Sequence, residues 1–314
     1  MFNNFLNKYD IGVKNLNAQT LNAHDKKELG VNLRKTLQQT TMLPPLPETA
    51  RKLLLLRNKP DANIEELVVL VEEDPILAAF VMKYARMAAF GYSGRITSVH
   101  HAISLVLGYT TTLNVTMGIA ASGCLKMPNY GPLGRVRIWS DALECAQLCR
   151  ELCRHMKNKQ DVNPGFAYLG GLLHDFGFML FAHFCPQEFA DLNEMVSADL
   201  KQDIRTIEMQ NFGITHDIIG SYLLKAWDLP EEIAIIAAEH HFPDYNGEHA
   251  AYVKLVATAN RLLQKKGIFD NCEYVGTSAL LADLGISESK AEEALQQVYT
   301  CQTELKELAL GLIG

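Results

Sequence analysis

The residues of this chain that could do chemistry are histidines and carboxylates, and they are unevenly placed. The stretch "GGLLHDFGFMLF", residues 170–181, sets His174-Asp175 between apolar flanks with no other charge. A buried carboxylate without a partner costs several kcal/mol, so the pair either binds an ion or forms a satisfied hydrogen bond. Further on, His216 precedes Asp217 in "ITHDIIG", and His240-His241 closes "IAIIAAEHH". Neutral imidazole and carboxylate are ligand types that suit Zn²⁺, Fe or Mn²⁺. Each lies at or near a predicted helix end, where several segments of a bundle can direct ligands into one pocket. Successive helical residues diverge by about 100°, so His174 and Asp175 require a widened site or a carboxylate that bridges two ions. The bland reading of any one of these histidines is a solvent-facing or capping residue.

Helices must do the positioning, because alternating β-branched runs are scarce and helical periodicity is nearly continuous. Residues 26–40 read as a polar amphipathic helix, followed by the proline-rich connector "LPPLPE". Asn63 stands three residues before Glu66, a capping-box spacing that opens the next helix, which stops at Pro75. "MPNYGPLG", 127–134, is the best linker, with a long helix after it over about 136–156. The His-Asp helix follows "NPG" at 163–165, and further helices are expected over 187–210, 215–227 and 231–241. The expected class is all-α, with two helical lobes dividing near residue 130.

With 48% apolar residues, 21% charged and a net charge of −7, the chain is an ordinary globular protein without an electrostatic footprint for nucleic acid. No nucleic-acid partner is expected. Seven cysteines without a CxxC pair read as free thiols of a reducing cytoplasm. Cys145, Cys149 and Cys153 recur every four residues on one helix face, as small apolar residues rather than a thiolate cluster. Residues 102–125 carry no charge, yet their Ser, Thr and Gly content favours a buried helix pair broken near Gly108 over a membrane span. His100-His101 reads as helix surface, and Met42, Met82, Met87 and Met117 as core filler.

"LHDFG" followed by "ITHDIIGSYLLKAWDLPEEIAIIAAEHH" resembles the HD superfamily of metal-dependent phosphohydrolases, and more specifically its HDOD branch in bacterial signalling proteins. "LPPLPETARKLL", "IEELVVLVEEDPILAAFVMKYA" and "ITSVHHAISLVLGYTTTLNV" match the branch's opening pattern in order. The resemblance covers about residues 42–262. It implies a helical extension over 1–41, an N-terminal lobe over 42–130, an HD-like bundle over 131–262 and C-terminal helices over 263–314.

By position, the resemblance carries a metal-ligand set onto His174, Asp175, His216, His240 and His241. Two further ligands are altered: the family's first His falls on Asp141 in "WSDALEC", and its last Asp on Asn260 in "TANRLL". The half-site of His174, Asp141 and Asn260 is thereby degraded, while Asp175 with His216, His240 and His241 is complete by residue type. The expectation is one divalent ion (Fe, Mn, Ni or Zn) rather than a cluster, against an ion-free hydrogen-bonded core. The similar HD-GYP phosphodiesterases carry a lysine where Phe178 stands here, and an apolar ring cannot neutralise phosphate. Lys201, Arg205 and Lys225 are the candidate substitutes. The implied role is a cytoplasmic signalling module without catalysis, acting on a signalling protein or a small phosphorylated ligand. The alternative is an active phosphohydrolase on a nucleotide or other phosphoester. A third reading is an adaptor with no ligand.

Overall fold

The computed structural model describes residues 43–158, 162–200, 202–264 and 276–312. The expected helix at 26–40, the extension over 1–41, Met42 and Lys201 lie outside them. Every regular element among the described residues is helical.

In the N-terminal lobe, α1 (Glu48–Arg57), α2 (Ile64–Glu72) and α3 (Pro75–Tyr84) lead to α4 (Val99–His101). The expected cap at Asn63 forms, its Oδ1 accepting from Glu66 N at 3.0 Å, and Ser98 Oγ caps α4 by accepting from His101 N at 3.0 Å. From α4 the chain runs through a π-helical stretch, Ala102–Leu107, that ends where Gly108 takes φ +77°. That break separates it from α5 (Tyr109–Ser122), whose residues 112–122 are all buried. The second half of the uncharged segment is therefore interior helix, while the stretch before Gly108 leaves Ser104 and Leu105 exposed. A second apolar stretch, Pro164–Phe184, is long enough to cross a membrane, but 83% of it is buried inside the fold.

The central element is α6 (Arg135–His155), which packs against α7 (Pro164–Leu173), α13 (Ala250–Gln264), α15 (Glu288–Thr300) and α16 (Gln302–Gly311). Cys145, Cys149 and Cys153 are buried on it. Around it lie α8 (Phe176–Phe184), α9 (Pro186–Ala198), α10 (Ile204–Phe212), α11 (His216–Ala226), α12 (Glu231–Glu239) and α14 (Thr277–Leu284). One apolar core runs through both lobes.

Two expectations about helix boundaries need correction. The segment 187–210 is two helices, because Asp199 turns extended and Asp203 caps α10, accepting from Thr206 N at 2.7 Å. The His-Asp pair does not sit inside one helix either. His174 ends α7 and Asp175 starts α8, with φ −100° and ψ 13° at Asp175.

That break is held by close packing of α8 on α11. A Cβ at Gly177 would stand 1.8 Å from the backbone oxygen of His216 and 2.8 Å from the Gly220 nitrogen. Neither neighbour is a flexible side chain, so the helices would have to separate. Gly177→Ala is expected to cost about 3 kcal/mol or more, read as a lowered denaturation midpoint. Gly91→Ala adds a methyl to open space and tests only its positive φ; its cost should be about 1 kcal/mol.

Candidate metal centre

Four helix ends converge on Asp175. His174 closes α7, His216 opens α11, and His240-His241 follows α12. The Asp175 carboxylate lies 3.1 Å from His174 Nε2, 3.4 Å from His216 Nε2 and 3.5 Å from His240 Nε2. His241 Nε2 stands 3.0 Å from His216 Nε2. His216, His240 and His241 form one compact set of ligand atoms, and His174, Asp175 and His240 another.

The far sides of the rings decide what the near sides can do. His174 Nδ1 is 2.8 Å from the Gly171 carbonyl, and His240 Nδ1 is 2.9 Å from that of Ala237. A carbonyl only accepts, so both Nδ1 atoms carry hydrogen. His216 Nδ1 meets the Glu208 carboxylate at 2.8 Å, and Glu208 also accepts from the His216 backbone N–H. In their neutral forms, all three imidazoles therefore turn Nε2 lone pairs toward Asp175. Acceptors facing a carboxylate repel one another unless protons or a cation lie between them. His240 Nε2 is buried with no hydrogen-bond partner among the described residues. The donor set thus fits a divalent ion held by Asp175, His216, His240 and His241, with Glu208 orienting His216 from behind.

Protonation follows the same geometry. Burial disfavours the His174 imidazolium, but the Asp175 carboxylate, Cys145 and the Gly171 carbonyl together outweigh it and hold the pKa up at about 9. His216 is raised as well, since Glu208 and Asp175 overcome its burial. His240 goes the other way, down to about 3, through burial and the neighbouring His241. Burial opposes ionisation of Asp175, yet the surrounding histidines keep its pKa well below the usual range.

The cluster forms the floor of a cavity of about 680 Å³. Asp141 and Asn260 line this cavity with His174, Asp175, His216 and His241. Asp141 joins neither compact ligand set; its carboxylate is held by Arg137 Nε at 2.6 Å. Burial pushes the Asp141 pKa up to about 7 against the pull of Arg137. Phe178 also lines the cavity and stacks on the His216 ring, with centroids 4.0 Å apart and planes at 15°.

Neither Arg205 nor Lys225 is part of that lining. Arg205 pairs with buried Asp217 at 3.1 Å and lies over Phe242. The cations that do reach the cavity are Arg137 and Lys306. Sequence reasoning passed over both, along with Glu208. Glu208 had a signal: an acid eight residues before His216, on a helix with an otherwise apolar buried face. Lys306 had none, because it lies 65 residues beyond His241 and only packing brings it near.

The family model for the HDOD domain matches residues 43–243, the segment that contains the whole histidine cluster. This chain belongs to the HDOD family. A candidate signal transduction protein from Marinobacter aquaeolei superposes with a TM-score of 0.76 at 29% identity, over 94% of this chain and 68% of its own. An HDOD domain protein from Geobacter sulfurreducens has a TM-score of 0.69 at 23% identity, over 92% and 99% of the two chains. A candidate metal-dependent phosphohydrolase from Shewanella amazonensis has a TM-score of 0.65 at 19% identity, over 90% and 99%. These last two share the fold. An uncharacterised protein of Treponema pallidum is 23% identical over 223 residues, which is 71% of this chain and 42% of the relative. The HDOD chain thus spans less than half of that relative's length.

Two measurements test the centre. His174 has a folded-state pKa raised from 6.5 to about 9, so its proton contributes stability below pH 6.5 that is lost as pH rises through about 9. Among the residues that would hold the ion, His216 also has a raised pKa, and an ion must displace its proton. Uptake of Mn²⁺ or Zn²⁺ should therefore release protons and tighten as pH rises above neutrality, read by calorimetry in buffers of different ionisation enthalpy. Glu208→Gln should weaken ion binding roughly 10- to 100-fold, because the hydrogen bond that orients His216 loses its charge.

Proposed function

We propose that this chain is a bacterial cytoplasmic signalling module that keeps a phosphohydrolase scaffold as a binding device, without turnover. It holds one divalent ion of the Fe, Mn, Ni or Zn class and answers a protein partner or a small phosphorylated ligand. The observation that carries this reading is Phe178. Its ring packs flat on His216 at the cavity wall, where the similar phosphodiesterases would carry a lysine. A bound ion would polarise a phosphoryl oxygen and acidify water, but hydrolysis also needs a second charge at the reacting phosphate. An apolar ring supplies none. The Marinobacter neighbour, named for signal transduction, agrees with this reading.

The rival is a metal-dependent phosphohydrolase. It is favoured by the names of the Shewanella neighbours and by the presence of Arg137 and Lys306 along the cavity. Arg137 is engaged with Asp141, so the cation nearest the floor on α6 already has a partner.

The two readings separate on one experiment. The chain is loaded with Mn²⁺, its ion content is measured, and p-nitrophenyl phosphate and bis(p-nitrophenyl) phosphate are offered. The expected result is one ion per chain with hydrolysis at the background of free Mn²⁺. Turnover that disappears in His216→Ala would establish the enzyme instead.

A further inference from the structure

The cavity extends past the histidines to a mouth built partly from α16, which lies outside the matched family segment. Gln302, Thr303 and Lys306 line this mouth from one face of that helix. The adjacent face seats the helix: Leu305, Leu308 and Ala309 are buried, and α16 packs on α6 and α3. Gln302 Nε2 also bonds both oxygens of Glu144 on α6, at 3.1 and 3.2 Å. The backbone that carries Lys306 is therefore fixed relative to α6 and the cavity wall.

Charge at the cavity is distributed unevenly. Each acid that lines it has its own partner: Asp141 has Arg137, Glu144 has Gln302, and Asp175 has three imidazoles. Lys306 makes no ion pair or hydrogen bond among the described residues. A solvated lysine at a surface needs no partner, but this one borders a concave site. Glu144 keeps its charge, since Gln302 is neutral, whereas Lys306 is a lining cation that no acid among the described residues pairs. Val136, Ile204, Leu263 and Phe178 supply apolar lining, with the exposed Tyr130 at the rim. Such a site accepts a small molecule with an anionic end and an apolar or planar body.

We infer that Lys306 is a specificity-determining residue of this cavity, holding the phosphate of a small organic phosphomonoester at the mouth while the apolar wall receives its body. The inference rests on reading the cavity as a ligand site, and it adds the C-terminal helix to that site. No covalent step is involved. Ligand recognition is thereby split between the HDOD segment, which supplies the floor, and a helix after it, which supplies the charge.

Phenyl phosphate serves as the probe and benzoate as the carboxylate control, titrated by calorimetry into the full chain with and without Mn²⁺. Phenyl phosphate should bind the wild type more tightly than benzoate. Lys306→Gln should weaken its binding about tenfold or more, and Lys306→Arg should retain most of it. Lys290→Gln, which removes an exposed lysine paired with Glu293, should leave binding unchanged. Lys306 is exposed, so an unaltered thermal midpoint in Lys306→Gln shows that the fold is intact. Equal binding of phenyl phosphate by wild type and Lys306→Gln would overturn the role of Lys306 and leave the ligand site standing. Equal affinity for benzoate would overturn the phosphate assignment. A chain that takes up one Mn²⁺ yet binds neither probe would overturn the anion subsite without touching the ion site.

Discussion

Everything around the centre answers to one carboxylate. Asp175 sits at the junction of two helices, within 3.5 Å of three imidazole nitrogens whose other nitrogens are already committed. In a low-dielectric interior such an arrangement demands positive charge, supplied as protons or as an ion. The opposed directions at His174 and His240 show the protons' answer: one ring is held charged and the other neutral. An ion would satisfy the lone pairs of His216, His240 and His241 together, which is what favours a metal there over an ion-free polar core.

Holding four helix ends at that distance requires the helices themselves to approach closely. Gly177 lets α8 meet the backbone of α11, Gly170 receives the Ile236 side chain of α12, and Gly171 lies against the backbone of α6 at Ala146. Each of these glycines is on the two helices that flank the His-Asp junction. The apolar flanks of the pair, which make it look anomalous in the chain, are the surfaces that wedge it in place. The cost of burying the charged groups is met by partners drawn from four separate helices, with α6 adding Arg137 and Asp141 to the wall.

The cavity is accordingly asymmetric. Its floor is imidazole and carboxylate, its middle apolar, and its mouth includes a lysine from the last described helix. Phe178 marks the transition. It stacks on His216 and sets an apolar ring, not a lysine, beside the floor.

The helical class, most caps and the identity of the clustered residues were legible in the chain, because periodicity, Asn63 and Ser98 as caps, and the His-Asp and His-His pairs are local signals. The family motifs ordered those pairs into one site for the same reason. What the chain alone left undecided are contacts between distant residues. The break at His174-Asp175 depends on α11 packing against Gly177, and the commitment of each Nδ1 depends on carbonyls and on Glu208 reaching it after folding. Asp141 looked like a substitute ligand by type, and only its pairing with Arg137 shows what holds its oxygen in this structure. Lys306 became part of the cavity solely because α16 folds back onto α6. Residue types and spacing determine which helices form and which side chains can ligate. The tertiary structure decides which lone pairs face one another, since that is a matter of distance across helices and not of position along the chain.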